Sequence, residues 1–278
     1  MLGTPALTAV LGAGVDNTDH DAVRSYIREL CKLGMSVMLC LPGTKQPADC
    51  RTVRVRNKAD KEASEAARLA GRSNWQDVKS PSGLALATTD RSTLLKKNGY
   101  LDEYIRKYSE WVDATTGNNP VNEPTAKQIA DGDVVMASPV PINLAIEVGG
   151  SRIVVVDCDT TAQRERFLSW IAGGQPLPPT VKSPGQKGRD GVADDESTWL
   201  HSDGGHYYFT VPDGVELPDN LGAITMSGDD GFAILWNRRY VLIPPSTRPE
   251  GAYRVTGVDY PLPQPIFEEI KRAAETRA

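Results

Sequence analysis

From residue 133 to residue 245 the chain carries seven short apolar runs: VVMASPV, INLAIEV, RIVVVDCD, HYYFTVP, GAITM, FAILW and RYVLIPP. Gly, Pro and Asp turns part them, and β-branched and aromatic residues dominate them, which is the pattern of strands rather than of helices. One helical stretch, Thr161–Ala172, interrupts the series directly after the third run. A strand-rich lobe with a single β-α-β-type unit makes the chain α+β. No repeat with a period of 20–50 residues is visible.

The first half reads differently. Thr18 and Asp19 stand where a helix N-cap belongs, Val23, Ile27, Leu30 and Cys31 follow at helical spacing, and Gly34 closes the helix. MSVMLCLP then reads as a buried strand stopped by a Pro-Gly turn. Residues 52–58, TVRVRNK, alternate apolar and basic, so an extended segment is expected there with Arg54, Arg56 and Lys58 on one face. That face is either a solvated edge whose cations discourage aggregation or a strip facing phosphates. A surface helix is expected over 59–72, a second helix over 94–112 with Leu94, Leu101, Tyr104 and Trp111 in its stripe, and a loop over 113–126. With about 150 residues per domain, the 278 residues suggest two lobes, an N-terminal α/β lobe over 18–132 and a strand-rich lobe over 133–257. Residues 258–278 are expected to form a C-terminal helix or linker.

Composition excludes several classes. A hydrophobic fraction of 40% with 24% charged residues suits a soluble globular chain. No apolar run approaches the roughly 18 residues of a membrane span, so no membrane partner is expected. The N-terminus lacks the basic segment of a secretory signal. Cys31, Cys40, Cys50 and Cys158 form no CxxC pair, and His20, His201 and His206 are scattered, so reduced cytosolic thiols and no zinc are expected. A net charge of -5 restricts any nucleic-acid contact to a local basic groove. VLGAGVDN lacks the third glycine and the following helix of a dinucleotide-binding turn.

Three segments carry chemistry. In RIVVVDCDT a buried strand ends in Asp157-Cys158-Asp159, and residues i and i+2 share a strand face, so both carboxylates project together while Cys158 enters the opposite layer. Paired hard oxygen donors suit Mg²⁺ or Mn²⁺; the plain alternative is two acids opening an exposed turn. In DGGHYYFTVP two glycines permit close approach to His206, which shares its face with Tyr208. In RRYVLIPPSTRPEGAY a buried strand stops at Pro-Pro before Ser246 and Arg248, to which residue chemistry alone assigns no role.

Taken in order, these segments resemble a known family. NLAIEVGGSRIVVVDCD looks like the "NIGI-x-TG…glvviDvD" segment of the bifunctional DNA primase/polymerases, the Prim-Pol branch of the archaeo-eukaryotic primase superfamily. LPPTVKSPG followed by GGHYYF is similar to the family's "P-T-x-x-T-P-x-G…GGxHxyf" element, and YVLIPPSTRPEGAYRV to its closing "YVVaPPSxHxxGxxY". Upstream, LCLPGTKQP and LATTDRSTL resemble its "P…gKxP" and "aTtD…l" stretches. The resemblance spans about residues 34–255 and has the texture of phage and plasmid replication proteins.

The resemblance implies a primase-type fold, a small N-terminal α/β lobe with an RRM-like catalytic sheet. It implies a DNA primase/polymerase, a nucleotidyltransferase using Mn²⁺ or Mg²⁺ on a DNA template or primer with NTP or dNTP. A cytoplasmic setting (the host's, for a phage protein) and a helicase domain beyond residue 278 would go with it. Asp157 and Asp159 match the first metal-binding motif, and His206 matches the histidine that contacts the triphosphate. Lys182 and Ser183 fall in the phosphate-holding loop, and Ser246 and Arg248 in the closing nucleotide-binding motif. Arg54, Arg56 and Lys58 become candidate DNA contacts.

The third carboxylate of the family departs from pattern. The strand preceding YVLIPPS holds Ala233, Ile234 and Leu235, with Asp229 and Asp230 just outside it. Either a bulge turns one of these acids inward as a metal ligand, Asp230 being nearer the strand, or both are hairpin-turn acids facing solvent. The insertion KGRDGVADDESTW is expected to be a mobile loop. Two other readings stand beside the enzyme: a non-catalytic nucleic-acid-binding module attached to a replicative helicase, favoured by the missing carboxylate, and a metal-dependent phosphohydrolase.

Overall fold

The computed structural model describes residues 5–172, 176–188, 192 and 195–277. Residues 189–191, 193 and 194 of the insertion expected to be mobile lie outside them. Helices combine with several largely antiparallel sheets, so the chain is α+β as its pattern predicts.

The larger sheet runs in the order Arg254–Val255, Val181–Lys182, Gly205–Thr210, Ile153–Cys158, Ala233–Leu235, Ala223–Thr225, with Tyr260–Pro261 pairing in parallel to the end of Gly205–Thr210. Its alternating side chains separate two cores. On one face Val154, Val156, Cys158, Tyr207, Phe209, Phe232, Ile234 and Trp236 are all buried beneath two helices. Thr161–Ala172 inserts Phe167 with ring centroids 4.8 Å from Tyr207 and 5.3 Å from Phe232. Gln264–Thr276 buries Ile266, Ile270 and Ala274, three residues spaced four apart on one helix face. At roughly 1.5–3 kcal/mol for each fully buried large apolar side chain, this layer is a major source of stability.

The opposite face joins a second core around a smaller sheet, Ser36–Cys40, Asn143–Glu147 and Tyr240–Ile243. That sheet takes one strand from before residue 132 and two from after it, so its core draws on both expected lobes. The helix His20–Lys32 packs on it with Val23, Ile27 and Leu30 fully buried; Asp19 caps it by accepting from the amides of Asp21 and Ala22. Gly34 follows at φ +75°, the left-handed turn the sequence predicts.

Three expectations for the first half are corrected. Residues 53–58 are not extended: they open the helix Val53–Leu69, capped by Thr52, whose side chain accepts from the amide of Val55. Val53 and Val55 are 57% and 50% exposed, so the alternation buries nothing, and the Ala/Glu/Lys-rich continuation settles the segment as helix. At 100° per residue Arg54 and Lys58 share a side while Arg56 points away, and the single basic strip dissolves. The helix expected over 94–112 breaks at Lys-Lys-Asn-Gly, with Asn98 at φ +59°, into Arg91–Leu95 and Tyr100–Tyr108, and Trp111 lies in the strand Glu110–Asp113. The stretch expected as loop contains that strand's end and leads to the helix Ala126–Asp131, whose capping box of Thr125 and Gln128 was a readable start signal. Gly12 and Gly14 follow the helix Pro5–Leu11, not a strand, which agrees with rejecting the dinucleotide turn.

Candidate active site

The strand Ile153–Cys158 lies between its two partners with Asp157 directly across from His206 on one side and from Ala233 on the other. Antiparallel register therefore delivers the imidazole to the carboxylate, with Nε2 of His206 3.3 Å from Oδ1 of Asp157. His206 is buried, whereas the Asp157 side chain keeps 28% of its surface. Burial by itself would raise the Asp157 carboxyl. The His206 imidazole, with Lys45 and His201 farther off, outweighs burial and holds it below the ordinary carboxylate range.

Asp159 has a similar companion. Nε2 of His201 lies 3.6 Å from its Oδ1 and 3.3 Å from Oε1 of Gln186, and the Gln186 amide donates to the His201 carbonyl at 2.8 Å. This bridge closes the base of the insertion and swings His201 onto the site. Each imidazole thus turns one nitrogen to an aspartate, while the buried Nδ1 atoms of both find no partner among the described residues. Cys158, between the acids, is fully buried in the helix-covered core, as the alternation predicts.

The glycines before His206 serve the chain's own packing. A Cβ on Gly204 would stand 2.5 Å from Oγ of Ser183, and one on Gly205 would stand 2.6 Å from Cβ of Pro179. Their absence lets the 179–183 segment press against the strand and brings Lys182 and Ser183 beside the site. Both line a groove of about 200 Å³ with Trp199, Ser202, Glu250 and Arg254. A larger cavity of about 730 Å³, lined by Arg152, Trp236, Phe267 and Lys271, opens at the far end of the same strand, away from the aspartates.

The other sequence candidates are placed as follows. Arg248 is mostly buried, 3.3 Å from Glu250. It contacts Tyr253, whose ring centroid lies 5.9 Å from that of His206. Ser246 is fully buried. Its hydroxyl accepts from the Leu144 amide at 2.8 Å and donates to the Leu144 carbonyl at 2.9 Å, so it clips the Pro-Pro loop to the small sheet instead of facing a ligand. Asp230 accepts from Arg166 at 2.6 Å on the edge of the helix Thr161–Ala172 and is not gathered to Asp157. Arg54, Arg56 and Lys58 sit on the solvent-facing first turns of their helix.

Sequence reasoning missed Lys45, His201 as a close companion of Asp159, and Asp203, which accepts from Thr161 at 2.8 Å and pairs with Arg164 and with Lys182 at 3.8 Å. Lys45 had a signal in GTKQP. Its loop is held by the Tyr240 hydroxyl on the Lys45 carbonyl at 2.8 Å and by Asn143 on the Thr44 carbonyl at 3.2 Å.

The model of the bifunctional DNA primase/polymerase, N-terminal family matches residues 27–266, most of the chain and all of this site. The chain belongs to the Prim-Pol family. No curated protein matches it. Membership in Prim-Pol implies DNA primase/polymerase activity of the nucleotidyltransferase type, with DNA and nucleotide as substrates. Prim-Pol domains are typically dependent on a divalent metal. Asp157 and Asp159 supply the hard oxygen chemistry for one, and each has its Oδ2 free of protein hydrogen bonds among the described residues. Their number falls short: no group of three or more His, Cys, Asp or Glu among the described residues is arranged to hold an ion. No described helix is long and apolar enough to cross a membrane.

Proposed function

We propose that this Prim-Pol chain carries out template-directed nucleotidyl transfer at Asp157 and Asp159. The reading is supported most by the register that sets Asp157 against His206 at the end of a buried strand, within a segment the family match covers. A divalent ion, Mn²⁺ or Mg²⁺, held by the two carboxylates would activate the primer 3′-hydroxyl and stabilise the departing pyrophosphate. His206 holds Asp157 ionised and oriented, and by its match to the family motif is the group proposed to meet the incoming triphosphate. Lys182 and Ser183, on the adjoining groove, hold the phosphates in line, an orientation effect. Arg248 reaches the same region through Tyr253. The context proposed is phage or plasmid DNA replication in the host cytoplasm, on grounds of sequence texture.

The test is Mn²⁺-dependent incorporation of labelled dNTP on a primed template. Extension is expected from the wild type, and His206→Ala should raise the apparent KM for nucleotide more than it weakens binding to primed DNA. A second reading, a module that binds nucleic acid without catalysis, is favoured by one observation: the neighbour of Asp157 on the third strand is Ala233, not an acid. Such a module shifts DNA in a gel and extends nothing.

A further inference from the structure

The edge of the larger sheet sets two cations side by side. Arg254 and Lys182 are directly opposed across an antiparallel pair, with Val255 and Val181 opposed next to them. Val181 is buried and Val255 packs on the same core, so the two cations share the outward face. Like charges directly opposed destabilise a sheet, and an anion set between them relieves the repulsion. The protein supplies little of that charge itself. Lys182 reaches only Asp203, at 3.8 Å, and Asp203 is already held by Arg164 and Thr161. Arg254 is exposed and pairs with no acid among the described residues. Of the two glutamates lining the groove beside it, Glu250 is held by Arg248 at 3.3 Å and Glu196 is exposed to solvent.

An aromatic ring lines the same groove. Trp199 ends the insertion that parts the two halves of the histidine-bearing element, and it borders the groove together with both cations. Its indole lies on Gly185, where a Cβ would stand 2.7 Å from Cζ3 of the ring. The indole Nε1 donates to the Val192 carbonyl at 2.9 Å, and the side chain stays half-buried. The ring is therefore fixed in place with part of its surface open.

Size decides between ligands. At about 200 Å³ the groove is smaller than the roughly 300–1,000 Å³ of pockets that enclose a whole small ligand. A complete nucleoside triphosphate is too large for it, whereas one base and one phosphate of a longer chain match a ring and a pair of cations. Positive grooves with aromatic platforms are how proteins hold single-stranded nucleic acid.

We propose that this groove seats one nucleotide unit of the single-stranded template, its base on Trp199 and its phosphate between Arg254 and Lys182. The inference rests on the nucleotidyl-transfer reading and adds to it the path of the strand, through an insertion that lies outside the family's motifs. Lys182 stands where the groove meets the nucleotide's phosphates, so Arg254 and Trp199 are the residues peculiar to the strand.

The experiment measures DNA binding separately from extension. A fluorescein-labelled primer-template with a single-stranded template overhang is titrated by anisotropy, without nucleotide. Trp199→Ala should weaken binding about 5- to 100-fold, the scale of losing one stacked base, and Trp199→Phe should recover most of it. An abasic site moved along the overhang should cost wild type affinity at one position, and cost Trp199→Ala nothing there. Arg254→Ala should make the slope of log affinity against log salt shallower by about 0.7, one phosphate contact on a single strand, and Arg254→Lys should restore it. The KM for dNTP should stay within about twofold in all four variants.

Wild-type affinity and salt slope in both alanine variants overturn the proposal. So does a raised dNTP KM at unchanged DNA affinity, which would give the groove to the nucleotide. Should Trp199→Ala lose its native circular dichroism, the abasic scan on wild type and the two Arg254 variants decide by themselves; a scan with no sensitive position overturns the proposal. A wild type that binds the overhang through Trp199 yet extends no primer overturns the nucleotidyl-transfer reading and leaves the groove standing. Extension at limiting DNA that neither alanine variant alters overturns only the groove.

Discussion

The two faces of the larger sheet are built from the same strands and yet have opposite tasks. Along Ile153–Cys158 the residues Val154, Val156 and Cys158 look into a continuous apolar layer closed by two helices. The alternate residues begin the same way, with Ile153 and Val155 in the other core, and then switch at Asp157 to a polar cluster. The neighbouring strands switch in step: Tyr208 gives way to His206, and Leu235 to Ala233. One face is uniform and holds the fold, while the other is apolar at one end and chemical at the other. The two carboxylates are tolerable there because an imidazole lies against each, His206 at 3.3 Å from Asp157 and His201 at 3.6 Å from Asp159. The packed layer behind holds that arrangement rigid.

The sharpest way to break this comparison is to exchange an effect on activity for an effect on stability. Asp157→Asn should lower nucleotide incorporation by about three orders of magnitude or more, the scale of removing one electrostatic partner from a reacting centre, while the far-ultraviolet circular dichroism remains native. Because the folded Asp157 carboxyl lies below its ordinary range, its ionised form stabilises the fold. That contribution is complete above its unfolded pKa of about 3.9 and is lost as pH falls through the lower folded value. Urea titrations should therefore show the wild-type advantage over Asp157→Asn at neutral pH and its disappearance in strong acid. An advantage that persists in strong acid contradicts the pairing with His206.

On the helix-covered face the effect should reverse. Phe167→Ala empties the centre of an aromatic cluster and should cost about 3–5 kcal/mol by chemical denaturation. Nucleotide KM should be little changed in the fraction that remains folded. Ser246→Ala tests the boundary between the faces: it strips two hydrogen bonds from a fully buried backbone pair and should cost about 1–3 kcal/mol. A raised nucleotide KM at unchanged stability would instead return Ser246 to the binding site. The smallest effect is expected from Asp230→Ala. Its ion pair with Arg166 is substantially exposed, so a loss of at most about 1 kcal/mol and unaltered Mn²⁺-dependent extension are expected. Loss of extension would show that the turn does reach the site.

Much of this was legible in the sequence where a pattern answers to one local cause. The strands after residue 133 appear where apolar runs and turn residues place them, and the helix Thr161–Ala172 matches its expected span. That Asp157 projects opposite Cys158 and that His206 shares its face with Tyr208 follow from period two alone; that the two meet across the strands is a matter of register. Legibility failed where a pattern had two physical readings. TVRVRNK alternates like a strand, but its valines find no partner layer, and the helix-forming continuation prevails. Asp229 and Asp230 read equally well as ligands or as turn acids, because turn composition carries no information about Arg166, about sixty residues upstream.

The sequence by itself determined the element types of the second half, the pairing of Asp157 with a face opposite Cys158, and membership in a family whose motifs occur in order. Those properties depend on residues within a few positions of one another. Tertiary structure alone decided that Lys45 and His201 converge on the aspartates, that Ser246 serves the small sheet, that Asp230 serves Arg166, and that Ala233 stands opposite Asp157. Each of these is a relation across tens to hundreds of residues. Such relations are set by strand register and by which buried polar groups must find partners, and neither leaves a periodic trace in the chain.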